Sequence, residues 1–211
     1  MKPYLRAITA ALAILLATQA HGQIYGKLNA AYALAGVINP QVEITLSERM
    51  TFQTEVVWSP WKYIVWHGTN YPMRFITFGN EARWFLRAPA RGWYAGLNFG
   101  FQGFNMTKPD LYSSAPLFGS HYGKGWGVQG GASIGYQWTF AQRWLLDAYA
   151  GLGYQISWYN SYLLDGSIEL YPHGHDPTAP PDPWNASAEW GINKAGVAIG
   201  YRIFSPHPKH D

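Results

Sequence analysis

The chain has 211 residues, no cysteine and a formal charge of +3 from 15 Lys and Arg against 12 Asp and Glu. That length holds one domain after processing, and the missing thiols exclude disulfides, thiolate metal sites, a Cys nucleophile and a lipid-modified N-terminal cysteine. Charged residues make up 13% and aromatics 17%, with a mean hydropathy of −0.17, which suits neither an ordinary soluble enzyme nor a helical membrane protein. The positive charge is scattered rather than patched, so no nucleic-acid surface is implied.

Residues Met1 to Gly22 carry Lys2 and Arg6, then an apolar run from Ala7 to Ala17, then small and polar residues through Ala20, His21 and Gly22. This is the pattern of a secretory signal peptide, cut after Ala20 or Gly22, and the run is too short to span a bilayer as a helix. The expected organisation is a signal peptide over 1–22, a membrane β-barrel over 23–204 and a periplasmic tail over 205–211.

Eight segments then alternate with a period of two. Lys27 to Ile38 places Leu28, Tyr32, Leu34 and Ile38 on one face. Gln41 to Ser47 sets Val42, Ile44 and Leu46 against Gln41, Glu43 and Thr45; Thr51 to Trp58 sets Phe52, Val56 and Trp58 against Gln53 and Glu55. Met73 to Leu86 opposes Ile76, Phe78, Trp84 and Leu86 to Thr77, Glu81 and Arg83. Trp93 to Asn105 opposes Leu97, Phe99 and Phe101 to Gly96, Asn98 and Gln102. The clearest segment is Gly125 to Phe140, where Trp126, Val128, Ala132, Ile134, Tyr136 and Trp138 interleave with Gly127, Gln129, Gly131, Ser133, Gly135 and Gln137. Arg143 to Trp158 and Lys194 to Phe204 repeat the scheme with Asp147, Tyr149, Gln155, Lys194 and Arg202 on the polar face.

Side chains on a strand alternate between faces, so each segment has one greasy, aromatic-tipped face and one small or polar face. A soluble sandwich would bury the greasy face. A transmembrane barrel turns it to lipid and fills a narrow lumen with the other. Eight is the smallest even number of strands in such barrels. The expected fold is therefore all-β: an eight-stranded antiparallel up-and-down transmembrane β-barrel behind a signal peptide. Tight turns near 48–50, 87–92 and 141–142 alternate with long connections over 59–72, 106–124 and 159–193. The link at Asn39-Pro40 is short where a long one is expected.

The inward face collects Glu43, Glu55, Glu81, Arg83, Asp147, Lys194 and Arg202. An eight-stranded lumen is just filled by side chains, so these charges read as a salt-bridged plug. The alternative is an ion path. The glycines at 127, 131, 135, 151, 153, 196 and 200 are expected to make room for Glu81, Arg83 and Tyr149 from neighbouring strands. Trp61, Tyr63, Trp66, Tyr112, Tyr122 and Trp184 lie in the long connections, where aromatics serve as binding anchors or as part of an interfacial girdle. His173, His175 and Asp176 form a weak metal-ligand candidate in a Pro-rich stretch, so no metal or cofactor is expected. Ser120 and His121, with Asp110 upstream, are the nearest thing to a catalytic grouping, and no motif surrounds them.

The runs Gly125-Trp126-Gly127, Gly135-Tyr136-Gln137-Trp138, Arg143-Trp144-Leu145-Leu146-Asp147 and Gly151-Leu152-Gly153-Tyr154 resemble a known family. Asn80-Glu81-Ala82-Arg83-Trp84 and the stretch from Asn39-Pro40 to Trp58-Ser59-Pro60-Trp61 are similar to it as well. The family is the domain of unknown function 3575 group, uncharacterised outer-membrane β-barrels of Gram-negative bacteria. The resemblance implies that location and architecture and supplies no catalytic residue. The expected role is structural, or binding through the loops, with outer-membrane lipid and lipopolysaccharide as surroundings and an extracellular protein or glycan as partner. The alternatives are a lipid A-modifying enzyme and a small pore. Gln137→Ala is expected to be tolerated and Ile134→Arg or Leu152→Arg is not.

Overall fold

Alternating β-branched, aromatic and small residues at period two favour extended strands, and strands are what the chain forms. The computed structural model describes residues 22–107, 119, 121–169 and 185–205. Ten strands lie among them: β1 (Ile24–Asn29), β2 (Pro40–Thr45), β3 (Met50–Ser59), β4 (Tyr63–Trp66), β5 (Thr69–Phe85), β6 (Arg91–Met106), β7 (His121–Phe140), β8 (Trp144–Leu163), β9 (Ile168–Glu169) and β10 (Asn185–Phe204). The one helix among the described residues, α1 (Ala30–Leu34), has five residues. No helix there is long and apolar enough to cross a membrane.

All pairings are antiparallel. β1 joins β2, β2 joins β3, β3 joins β5, and β5, β6, β7 and β8 follow in order. β10 pairs along one edge with β8 and along the other with β1, where Tyr25 faces Arg202 and Asn29 faces Ala198. The path of pairing thus returns to its first strand. β4 and β9 are short hairpin arms on β5 and β8. His67 and Gly68, both at positive φ, close the β4–β5 hairpin in the two-residue form that matches strand twist.

The turns at 46–49, 86–90 and 141–143 gather at one end of the sheet with the start of β1 and the end of β10. We call this the turn end; the opposite one, with α1 and the longer connections, is the loop end.

The first segment differs from its sequence reading. Its alternation stops at Asn29, and a helix replaces the expected strand up to Ile38. The reason is local. Asn29 Oδ1 accepts from the Ala31 and Tyr32 amides, an N-cap placed before an Ala-rich run, and Gly36 at φ +67° ends the turn. Ile38 then exchanges backbone hydrogen bonds with Trp58 before β2 begins. The first connection therefore spans 30–39, so it is not the short link expected at Asn39-Pro40, and the turns alternate regularly with longer connections. β7, β8 and β10 also run several residues further towards the loop end than the alternation alone indicated.

Candidate functional site

The two faces of the sheet have opposite fates. On one, Leu97, Ile134 and Leu152 are 71%, 61% and 64% exposed; on the other, Arg83 and Asp147 are fully buried. The buried face holds an ion-pair network with Arg83 at its centre. β5 carries Arg83 two residues from Glu81, so both point the same way. Arg83 Nε donates to Glu81 Oε2 at 2.7 Å, and its Nη1 donates to Asp147 Oδ2 at 2.7 Å and Glu43 Oε2 at 3.1 Å. Its guanidinium also lies over the Tyr94 ring, 4.5 Å from the centroid.

Two further strands each add a cation. Lys27, from β1, donates to Glu43 Oε2 at 2.5 Å and to Asp147 Oδ2 at 2.7 Å. Lys194, from β10, donates to Glu81 Oε2 at 2.9 Å and pairs with Glu55 Oε1 at 2.8 Å. Neutral donors take remaining lone pairs: Thr51 Oγ1 on Glu43 (2.6 Å), Tyr94 OH on Asp147 (3.0 Å), the Ser133 hydroxyl on Glu81, and Gln137 Nε2 on Glu43 (2.8 Å) and Asp147 (3.2 Å). A buried charge is tolerable only with this degree of pairing, since an unpartnered one costs several kcal/mol.

The glycines fit this packing one by one. A side chain at Gly96 would meet Glu81 and Ser133, at Gly135 the Tyr94 ring, at Gly196 Asn29, and at Gly200 Lys27. The expectation that they make room for Glu81, Arg83 and Tyr149 is thus corrected: Glu81 is served by Gly96, while Gly135, Gly196 and Gly200 admit Tyr94, Asn29 and Lys27.

Towards the turn end the interior becomes apolar. Tyr25, Ala90 and Leu145 form one buried group there, and Phe85 packs with Tyr94, Ala198 and Tyr149, the last reaching the loop-end cavity. Arg202 stands apart from the network, at the turn-end mouth beside Gln23, Tyr25, Ala90 and Thr139. Its expected membership is corrected: Arg202 lies near the end of β10, and among the described residues no ion pair joins it to Glu43, Glu55, Glu81 or Asp147.

Towards the loop end the interior opens into a cavity of about 300 Å3. Lys194, Glu55 and Tyr149 line it together with Gln102, Gln129, Gln155 and Asn193, and Tyr32 reaches it from α1. Lys194 and Asn193 are adjacent, yet neither faces outward, because the β8–β10 register shifts between Ile192 and Lys194. Tyr149 OH accepts from Asn29 (3.0 Å) and Gln41 (2.9 Å).

Glu43, Glu55, Glu81, Arg83, Asp147 and Lys194 are thus brought together, and Arg202 is not. Lys27 is the member that sequence reading missed, although Leu28 on the outer face already placed Lys27 and Asn29 inside. Tyr94 was legible in the same way from Trp93. Gln137, expected to tolerate replacement, is 1% exposed and holds two carboxylates.

The loop aromatics are dispersed. Trp61 Nε1 donates to the Ala35 carbonyl at 3.1 Å, and its ring lies against Gly36, so it clamps the end of α1. Tyr63 sits beneath the Lys62 ammonium, Trp66 meets His67 edge-on, and Tyr122 stacks on Tyr162 with centroids 5.1 Å apart. Tyr112, Trp184, His173, His175, Asp176, Asp110 and Ser120 lie outside the described residues. Among the described residues no group of three His, Asp or Glu is placed to hold a metal ion.

The family model described as protein of unknown function, DUF3575, matches residues 7–203, nearly the whole chain, and the chain belongs to that family. No curated protein and no solved structure matches it.

Proposed function

We propose that this DUF3575 member is a small outer-membrane β-barrel of a Gram-negative bacterium, exported by residues 1–22, crossing the bilayer with eight strands and closed inside by its own side chains. The observation that carries the reading is the inverted exposure: Arg83 and Asp147 are fully buried while Leu97, Ile134 and Leu152 face outward. In water that arrangement would be unfavourable on both faces; in lipid both are explained. The return of the pairing path from β10 to β1 supports closure, because an open edge in hydrocarbon leaves backbone groups without partners.

Outward aromatics support two interfacial belts. Near the turn end Trp93 packs on Tyr136 and Trp144 on Tyr201; near the loop end Trp126 stacks on Trp158 at 4.5 Å. Amphipathic rings at both edges of an apolar band are what headgroup interfaces select. Arg49, Arg91 and Arg143, beside bulky groups at the turns, suit the phosphate level of the periplasmic leaflet.

The role that follows is non-catalytic: a structural or binding protein, surrounded by outer-membrane lipid and lipopolysaccharide, whose external specificity for a protein or glycan lies in the loops. The buried apolar groups at the turn end weigh against a steady pore. Extraction tests the reading. The mature protein should stay in the membrane fraction through carbonate and urea washes and leave only with detergent. Recovery in the soluble periplasmic fraction would overturn it.

A further inference from the structure

The interior charges do not cancel. Glu43, Glu55, Glu81 and Asp147 are four carboxylates, and Lys27, Arg83 and Lys194 are the three cations that pair with them. The surplus falls at the loop end. Glu43 and Asp147 each receive both Lys27 and Arg83, and Glu81 receives Arg83 and Lys194. Glu55 has only the lysine it shares with Glu81, and its other oxygen meets Asn39 Nδ2 at 3.4 Å. Glu55 is also the most open of the four, with a side chain 11% exposed, and it lines the loop-end cavity.

The rest of that cavity is lined with amides. Gln102, Gln129, Gln155 and Asn193 each offer a donor and an acceptor, which is the complement of a hydroxyl group. Asn193 donates to Asn98 Oδ1 at 2.6 Å, while its own Oδ1 is buried without a partner. Tyr32, Phe75 and Tyr149 supply ring surface. The volume sits at the lower limit of small-molecule sites, about 300–1,000 Å3, so the occupant is the size of one sugar ring.

We propose that the loop-end cavity is a binding site for a small polyol bearing a primary ammonium group, an amino sugar in its simplest form, with Glu55 receiving the ammonium and the Gln and Asn amides the hydroxyls. The site needs the interior enclosed by the sheet, as in the proposed barrel, but not the membrane around it. Extraction behaviour and ligand binding therefore fail separately.

The test is titration calorimetry of the purified mature protein in detergent with glucosamine, glucose and N-acetylglucosamine. Glucosamine should bind, and the two sugars without an ammonium should bind at least about tenfold more weakly, the loss expected when a charge-assisted hydrogen bond is absent. Glu55→Gln should remove glucosamine's advantage. Gln129→Leu, which leaves every charge in place, should weaken the binding of glucosamine. Equal binding of all three sugars, no binding of any, or unchanged glucosamine affinity in Glu55→Gln would each overturn the proposal.

Discussion

The two halves of the interior are built from the same strands and by opposite means. At the turn end Arg83, Lys27, Asp147 and Glu43 are locked by mutual pairing and capped by Phe85, Leu145, Tyr25 and Ala90. At the loop end the strands continue with Gln102, Gln129 and Gln155 around open space. Stability and recognition are thus separated along one sheet. A fully paired and tightly packed layer carries the fold, because each charge there depends on its neighbours. The amides that line the cavity around Glu55 and Lys194 contribute little to stability and are free to meet a ligand.

Substitutions in the two layers should differ in their cost. Arg83→Ala takes from each of Glu43, Glu81 and Asp147 one of its two cations and should cost about 3–5 kcal/mol, the effect of removing one partner of a buried pair; urea titration of the refolded protein would show it as failure to regain native structure. Leu145→Ala opens the apolar cap and should cost about 2–5 kcal/mol as a large-to-small core change, read as a lowered unfolding midpoint with the fold retained. Gln137→Ala should cost about 1–3 kcal/mol, because Glu43 and Asp147 each lose a buried donor. Gln129→Ala, on the adjacent part of the same strand but at the cavity, should stay within about 0.5 kcal/mol. If Gln129→Ala and Gln137→Ala shifted the unfolding midpoint equally, the division into a structural and a recognitional half would fail.

Much of this architecture was legible in the residues. Parity alone assigned Glu43, Glu81, Arg83 and Asp147 to one face and Leu97, Ile134 and Leu152 to the other, because a strand offers only two directions. What parity missed has physical reasons. From Asn29 to Gly36 the residues fit two templates, and the N-cap, the Ala-rich run and the terminal glycine outweigh the apparent alternation of Tyr32 and Leu34. Lys27 was overlooked because it stands two residues from that break. Arg202 was misjudged because facing inward says nothing of depth, and depth decides which charges meet. The doubly inward pair Asn193 and Lys194 depends on a register shift that one strand's sequence cannot reveal. The cavity was invisible for the same reason, being made by the spacing of glutamines on three separate strands.

The central claim is that lipid covers one face of this sheet and protein fills the other. A cysteine-free chain makes that directly measurable, since a single introduced cysteine carries a spin label without competition. Labels at Leu97→Cys, Ile134→Cys and Leu152→Cys, in protein reconstituted into phospholipid vesicles, would be relaxed in turn by oxygen, which partitions into lipid, and by a water-soluble nickel chelate. The account predicts strong relaxation by oxygen and almost none by nickel at all three positions. Strong relaxation by nickel at these positions would mean that the greasy face meets water, and would contradict it.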